Sequence, residues 1–355
     1  MKEINQEKPI LVTGGTGYIA SWIIKTLLEK GLDVRATVRD KSNIKKYKHL
    51  TDIAENSSGK LTIFEADLLK VGSFEEAMKD CELVFHTASP FMISGIKNAQ
   101  KQLIEPALNG TRNVLNSVKE NPSVKKIVLT ASVVSMHGDA VDMRKTENGI
   151  FTDKDWNTTS TETHRPYSYS KVLAEKEAWK IVETQDQFDL VTVHPGFVLG
   201  PSLTKRKDSA SIDFMISLLN GKLKTGAPDL TLGIVDIRDL ANVHIAVAFN
   251  PNAEGRYIAT AGSSKMLELG SILQKKYSNK YKIPKMQLPK IMLYLFGPLQ
   301  GFSWKYVSRN IGLPLKFDNS KSINELDVSY RPIEETILDH AEQIIRDGLV
   351  WVWMR

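Results

Sequence analysis

The sequence predicts a doubly wound α/β fold, a parallel sheet with helices on both faces, joined to a smaller C-terminal lobe. Three observations carry this. Short apolar runs recur with room for a helix between them, the runs are apolar almost without interruption as in strands buried on both faces, and a glycine-rich turn follows the first. Ile10–Thr13 opens the series. Ile19, Trp22, Ile23 and Leu27 then recur at helical spacing, Gly31 stops them, and Val34–Val38 closes a strand, turn, helix, strand unit. Leu61–Glu65, Leu83–His86, Lys126–Thr130 and Leu190–His194 continue the alternation, and Tyr257–Thr260 comes later. After Pro195–Gly196 the regularity ends. Ile212, Met215, Ile216 and Leu219 form a helical stripe, and prolines at 284, 289, 298, 314 and 332 punctuate short elements. Ile337, Leu338, Ala341, Ile344 and Ile345 mark a last helix that stops near Gly348, with the tail WVWM expected to dock on the lobe. The expected division is a dinucleotide-binding domain of residues 8–200 plus about 234–262, and a substrate-binding lobe of about 201–233 plus 263–355.

Composition excludes several classes. With 355 residues, 42% hydrophobic and 25% charged, the chain can build a sizeable core, which argues against disorder or a fibrous repeat. Cys81 is the only cysteine, so no internal disulfide or cysteine-held metal is expected, and a reducing, cytoplasmic setting is. The start MKEINQEKPI lacks the apolar region of a secretory signal, and Ile291–Leu299 is too short to span a membrane. A net charge of +6 favours anionic small ligands modestly, so neither nucleic acid nor membrane is expected as a partner.

The first strand runs into Thr13-Gly14-Gly15-Thr16-Gly17-Tyr18-Ile19-Ala20. Glycines there allow a backbone to approach a pyrophosphate, and the amides that open the following helix meet its negative charge. This is the arrangement of a Rossmann dinucleotide site, and the strand and helix around it make the pattern specific. Roughly 20 residues beyond the glycines an acidic side chain would grip a ribose diol. Arg39 stands there instead, with Lys46 in the basic run that follows, and both suit a 2′-phosphate. NADP(H) is therefore the expected cofactor, although Asp40 offers a carboxylate one residue on.

In His164-Arg165-Pro166-Tyr167-Ser168-Tyr169-Ser170-Lys171 the proline suits a helix start, and Tyr167 and Lys171 share one face. A phenol has a pKa near ~10, and an adjacent ammonium together with a positive nicotinamide is expected to favour its phenolate, fitting the pair for proton transfer. Ser132 lies just past the fifth strand, at the edge where open α/β sheets bind ligands.

TGGTGYIA, ADL at 66–68, VFHTASP, NGT at 109–111, TAS, YSYSK and HPGFVLGP together resemble the extended short-chain dehydrogenase/reductases. DVRATVRDKSNIKKYKHL and YSYSKVLAEKEAW are similar to the group that holds dihydroflavonol 4-reductase, cinnamoyl-CoA reductase and microbial carbonyl reductases. The resemblance implies Ser132, Tyr167 and Lys171 as the catalytic triad and Arg39 and Lys46 as 2′-phosphate contacts. It also implies Asp67 and Leu68 beside the adenine, Thr87, Ala88 and Pro195 along the cofactor, and Asn109 as the family's structural asparagine. The chain departs from the plant enzymes at His137, where flavonoid reductases carry a substrate-recognising asparagine, and at PYSYS, where cinnamoyl-CoA reductases show NWYCY. Neither plant substrate is carried over. Phe91, Met136, His137, Phe197 and Met215 are pocket candidates, and their character suggests a hydrophobic or aromatic small-molecule carbonyl substrate for a monomer or homodimer. Two other readings compete: a nucleotide-sugar epimerase or dehydratase, disfavoured because Val133 and Val134 follow the serine, and a non-catalytic NADP-binding redox sensor, disfavoured because Tyr167 and Lys171 are both present.

Overall fold

The computed structural model describes residues 2–89, 96–206 and 209–351. Seven strands form one parallel sheet: β1 (Ile10–Thr13), β2 (Asp33–Val38), β3 (Lys60–Glu65), β4 (Leu83–His86), β5 (Lys126–Thr130), β6 (Asp189–Pro195) and β9 (Gly255–Ala259). Their order, β3-β2-β1-β4-β5-β6-β9, reverses direction between β1 and β4. Such a switch opens a crevice at the carboxyl ends of the strands, the place where this kind of sheet binds ligands.

The sheet is covered on both faces, so β1, β4 and β5 are buried along their whole length. On one face Ile23, Ile24, Leu27 and Leu28 of helix Tyr18–Glu29 pack with Leu240, Ala241 and Val247 of helix Ile237–Phe249. On the other, Val114, Leu115 and Val118 of helix Glu105–Lys119 meet Ala178 of helix Pro166–Val182.

A second sheet was not expected. β7 (Phe197–Leu199) pairs in parallel with β8 (Thr231–Asp236), and β10 (Gly262–Lys265) pairs with β8 antiparallel. The polar sequence GSSK and the three-residue length of β7 carry no alternation long enough to read as strands. This small sheet anchors the lobe, whose core joins Ile212, Met215 and Leu219 of helix Ala210–Leu219 to Ile337, Ala341 and Ile344 of helix Ile333–Arg346. Gly348 ends that last helix with a φ of +70°, Val350 packs into the lobe core and Trp351 is exposed. The remainder of the WVWM tail lies outside the described residues.

Candidate active site

The glycine loop is built by what a side chain would strike. Gly14 has a φ of +68°, and a Cβ there would lie 3.0 Å from that of Ala88; one on Gly17 would lie 3.0 Å from the Gly14 carbonyl oxygen. Gly15 N–H donates to the Thr37 carbonyl at 2.8 Å, pinning the loop to β2. Gly17 N–H donates to the Gly14 carbonyl at 2.8 Å, and as Gly17 caps the Tyr18–Glu29 helix without a side chain, no capping group covers the amides that open the helix at its positive end. Thr13 is the hub. Its Oγ1 accepts from the amides of Thr87 and Ala88 at 3.2 Å each and lies 3.0 Å from His86 Nδ1, while the Thr87 hydroxyl donates to the Thr13 carbonyl at 2.6 Å. The ends of β1 and β4 are thereby locked at the switch point, and the cradle fits a dinucleotide pyrophosphate.

Arg39, just past the end of β2, and Lys46, on the helix Ile44–Glu55 that follows, are both exposed. The Asp40 carboxylate is turned back into its own loop, accepting from the Ser42 amide at 3.0 Å and the Ser42 hydroxyl at 2.6 Å; these bonds, with help from Lys46, hold it below the usual carboxylate range. Farther along, Asp67 Oδ1 accepts from Leu69 N–H at 2.8 Å, and the Leu68 carbonyl accepts from Asn113 Nδ2 at 2.7 Å, on the helix that also carries Asn109. Pro195 ends β6. Sequence reading missed Arg206. Its Nη1 donates to the Thr16 carbonyl at 3.2 Å, and its charge bears on Tyr18 and His49, so a cation from the lobe stands over the phosphate loop. The only signal was the run Lys205-Arg206-Lys207 in a loop without periodicity.

Ser132 follows β5 and caps the short turn Val133–Ser135, its Oγ accepting from Val134 N–H at 3.4 Å. The helix Pro166–Val182 packs against that turn and brings Tyr167 and Lys171 to the same sheet edge. Its entry is fixed by Arg165, held at a φ of +58° ahead of Pro166, with its guanidinium 5.6 Å from the Tyr306 ring centre. Asp139, buried, gathers His164 Nε2 at 2.8 Å, Arg309 Nε at 2.5 Å and Asn310 Nδ2 at 2.7 Å, tying the lobe to the start of this helix.

Burial lifts the Tyr167 phenol above its ordinary range, so in the protein alone, without the positive nicotinamide, this group keeps its proton. Burial also pulls Lys171 down to about 8, against the carboxylate of Glu175, which works to keep it charged. His86, on the next strand, is pushed to about 3 by burial and by the Lys171 charge and stays neutral. Glu175 was also missed. It lies one turn beyond Lys171, accepts from His194 Nε2 and Arg256 Nε at 2.8 Å each, and is held at about 2 because these partners outweigh the cost of burial.

The pocket candidates scatter. Met215 is fully buried in the lobe core, and Met136 is buried beside Phe151 and Phe317. His137 is buried with ring centres 5.2 Å from Phe151 and 5.4 Å from Phe317, and burial lowers it to about 3. Phe197 is half-buried, edge-on to Phe214 at 5.1 Å. Phe91 lies outside the described residues.

Residues 10–259, from the first strand of the sheet to its last, match the NAD dependent epimerase/dehydratase family. The chain belongs to this family. Among epimerase/dehydratase-family relatives, cinnamoyl-CoA reductase CAD2 of Medicago truncatula is 33% identical over 347 residues, covering 97% of this chain and 98% of the relative. Tetraketide alpha-pyrone reductase 1 of Arabidopsis thaliana is 35% identical over 345 residues, covering 96% of each. Yeast methylglyoxal/isovaleraldehyde reductase Gre2, solved in complex with NADPH, superposes with a TM-score of 0.77 at 25% identity over 96% of this chain and 99% of that structure.

Proposed function

We propose that this protein is an NADPH-dependent reductase of aldehydes or ketones, with residues 8–200 and about 234–262 holding the cofactor and the rest forming the substrate lobe. The observation that carries the reading is that Ser132, Tyr167 and Lys171 stand on the sheet edge that also bears the glycine loop. When bound, NADPH supplies the hydride that passes from the nicotinamide C4 to the carbonyl carbon. Negative charge then builds on the substrate oxygen. Tyr167, protonated at neutral pH, gives that oxygen its proton, and Ser132 orients it with a hydrogen bond. Lys171 holds the cofactor ribose and favours the phenolate that proton donation leaves behind. Arg39 and Lys46 bind the 2′-phosphate, a role supported by the engagement of Asp40 with Ser42. The reductase names of the relatives and the NADPH in the solved Gre2 structure support the same reading.

The test is NADPH consumption with a panel of aromatic and aliphatic aldehydes and ketones by wild type and Tyr167→Phe. The variant should keep NADPH affinity and lose roughly 10²–10⁴-fold in turnover. Near wild-type turnover in the variant removes Tyr167 from the mechanism, and no consumption with any carbonyl removes the reductase.

A further inference from the structure

From Leu269 to Phe317 the chain contains no aspartate or glutamate, while nine lysines and arginines fall in the same stretch; Lys275, Lys276 and Arg309 among them pair with Glu334, Glu342, Asp139 and Asp142 from elsewhere in the chain. Within it, residues 286–304 hold seven of the twelve large apolar side chains that stand exposed among the described residues. Helix Lys290–Phe296 reads KIMLYLF and buries only Leu293. Ile291 and Leu295 are 61% and 63% exposed, Phe296 51%, Leu299 86% and Trp304 67%. A helix apolar all round belongs under cover, and one lying on a surface marks a contact.

This face is held in place from beneath. Leu293 packs on Val307 and Ile311, Lys290 Nζ donates to the Ile311 carbonyl at 2.7 Å, and Trp304 Nε1 donates to the Tyr294 carbonyl at 2.8 Å. Lys285 and Lys305 are exposed at its two ends. We propose that the 286–304 face docks on an anionic lipid surface, laying its Leu, Ile, Phe and Trp side chains among the acyl chains with the lysines at the headgroups. Charge decides the occupant. A second copy related by a two-fold would set the exposed lysines 285 and 305 against another pair of lysines, and a nucleic acid has no use for aliphatic side chains. A headgroup layer of negative charge above hydrocarbon matches both features. The shortness of the apolar run excludes crossing a bilayer and leaves lying on one open. The inference is independent of the reductase reading.

The experiment is co-sedimentation of the full chain with phosphatidylcholine vesicles and with mixed phosphatidylglycerol/phosphatidylcholine vesicles, at low and high salt. Wild type should sediment with the anionic vesicles and be released by salt, each lysine at the surface being worth roughly fivefold. Leu295→Glu with Phe296→Glu should weaken binding at least about tenfold. Lys285→Glu with Lys305→Glu should do the same on anionic vesicles while leaving any binding to neutral ones unchanged. Circular dichroism and melting establish that each variant folds. Failure of wild type to sediment with anionic vesicles overturns the proposal, as does sedimentation of both folded variants at the wild-type level. A dimer seen by light scattering that Leu295→Glu dissolves, without vesicle binding, assigns the face to self-association instead.

Discussion

Lys171 is held between opposing pressures: burial disfavours its ammonium, and Glu175 restores it. Glu175 in turn is kept ionised by His194 and by Arg256, whose Nη1 donates to the Asp153 and Asp155 carbonyls and whose guanidinium lies 4.0 Å over the Trp156 ring. Glu175→Gln keeps the shape and removes the charge. The Lys171 pKa should then fall below about 8, so the alkaline limb of the kcat/KM profile moves to lower pH. Breaking the buried pair also costs about 3–5 kcal/mol in stability. A lower melting temperature with an unmoved alkaline limb would make Glu175 structural only. Sequence could not have singled it out, because its two main partners lie 19 and 81 residues away. Tyr167 and Lys171 were legible for the opposite reason: their relation is local, four residues on one helix.

Helix Ile237–Phe249 ends in a buried cation. Lys126, the first residue of β5, is fully buried and donates through Nζ to the carbonyls of Val247 and Asn250 at 2.8 and 3.0 Å, groups that close the helix and have no helical partner. Burial lowers it to about 8, which still leaves most molecules charged at neutrality. Lys126→Met fills the volume but strands the Val247 carbonyl and takes one of two donors from the Asn250 carbonyl, which keeps Ala253 N–H at 3.2 Å, and should destabilise by about 1–3 kcal/mol, read as a lower urea midpoint. An unchanged midpoint would mean that water or a shifted turn satisfies them. The strands around it show where sequence reading succeeds. β1, β4 and β5 are short, apolar and buried on both faces, so composition alone marks them, whereas β10 is polar and at an edge. Arg206 went unseen because its place over Thr16 depends on how the lobe folds back across 190 residues.

For the molecule as a whole, acid is the expected weakness. His86, His137 and His340 are each lowered to about 3 and His244 to about 4, mainly by burial. The hydrogen bond of His340 requires a neutral ring. Its Nδ1 accepts from Gly200 N–H, whereas His244 Nδ1 donates to the Leu240 carbonyl and its Nε2 lies 2.8 Å from the Thr130 hydroxyl. A histidine whose folded pKa lies below its unfolded value of ~6.5 binds more protons when unfolded, so stability is full above ~6.5 and falls as pH drops toward the folded values. Each ring can contribute up to about 1.4 kcal/mol per pH unit in that window. The melting temperature should therefore fall between pH 7 and pH 5 and the slope should lessen in His340→Gln; a flat profile there would refute this.

The partner of β6 on its outer side is β9, paired from Val191 with Gly255 to Pro195 with Ala259. Between them the chain makes β7, a helix, β8 and the Ile237–Phe249 helix, so during synthesis β6 waits with one edge bare until residue 259 has emerged. An apolar strand with an open edge is a template for pairing with another nascent chain. The seventh strand thus makes the final closure of the sheet a late, long-range event, and the speed at which the ribosome delivers residues 196–259 bears on how much of the protein reaches its native state.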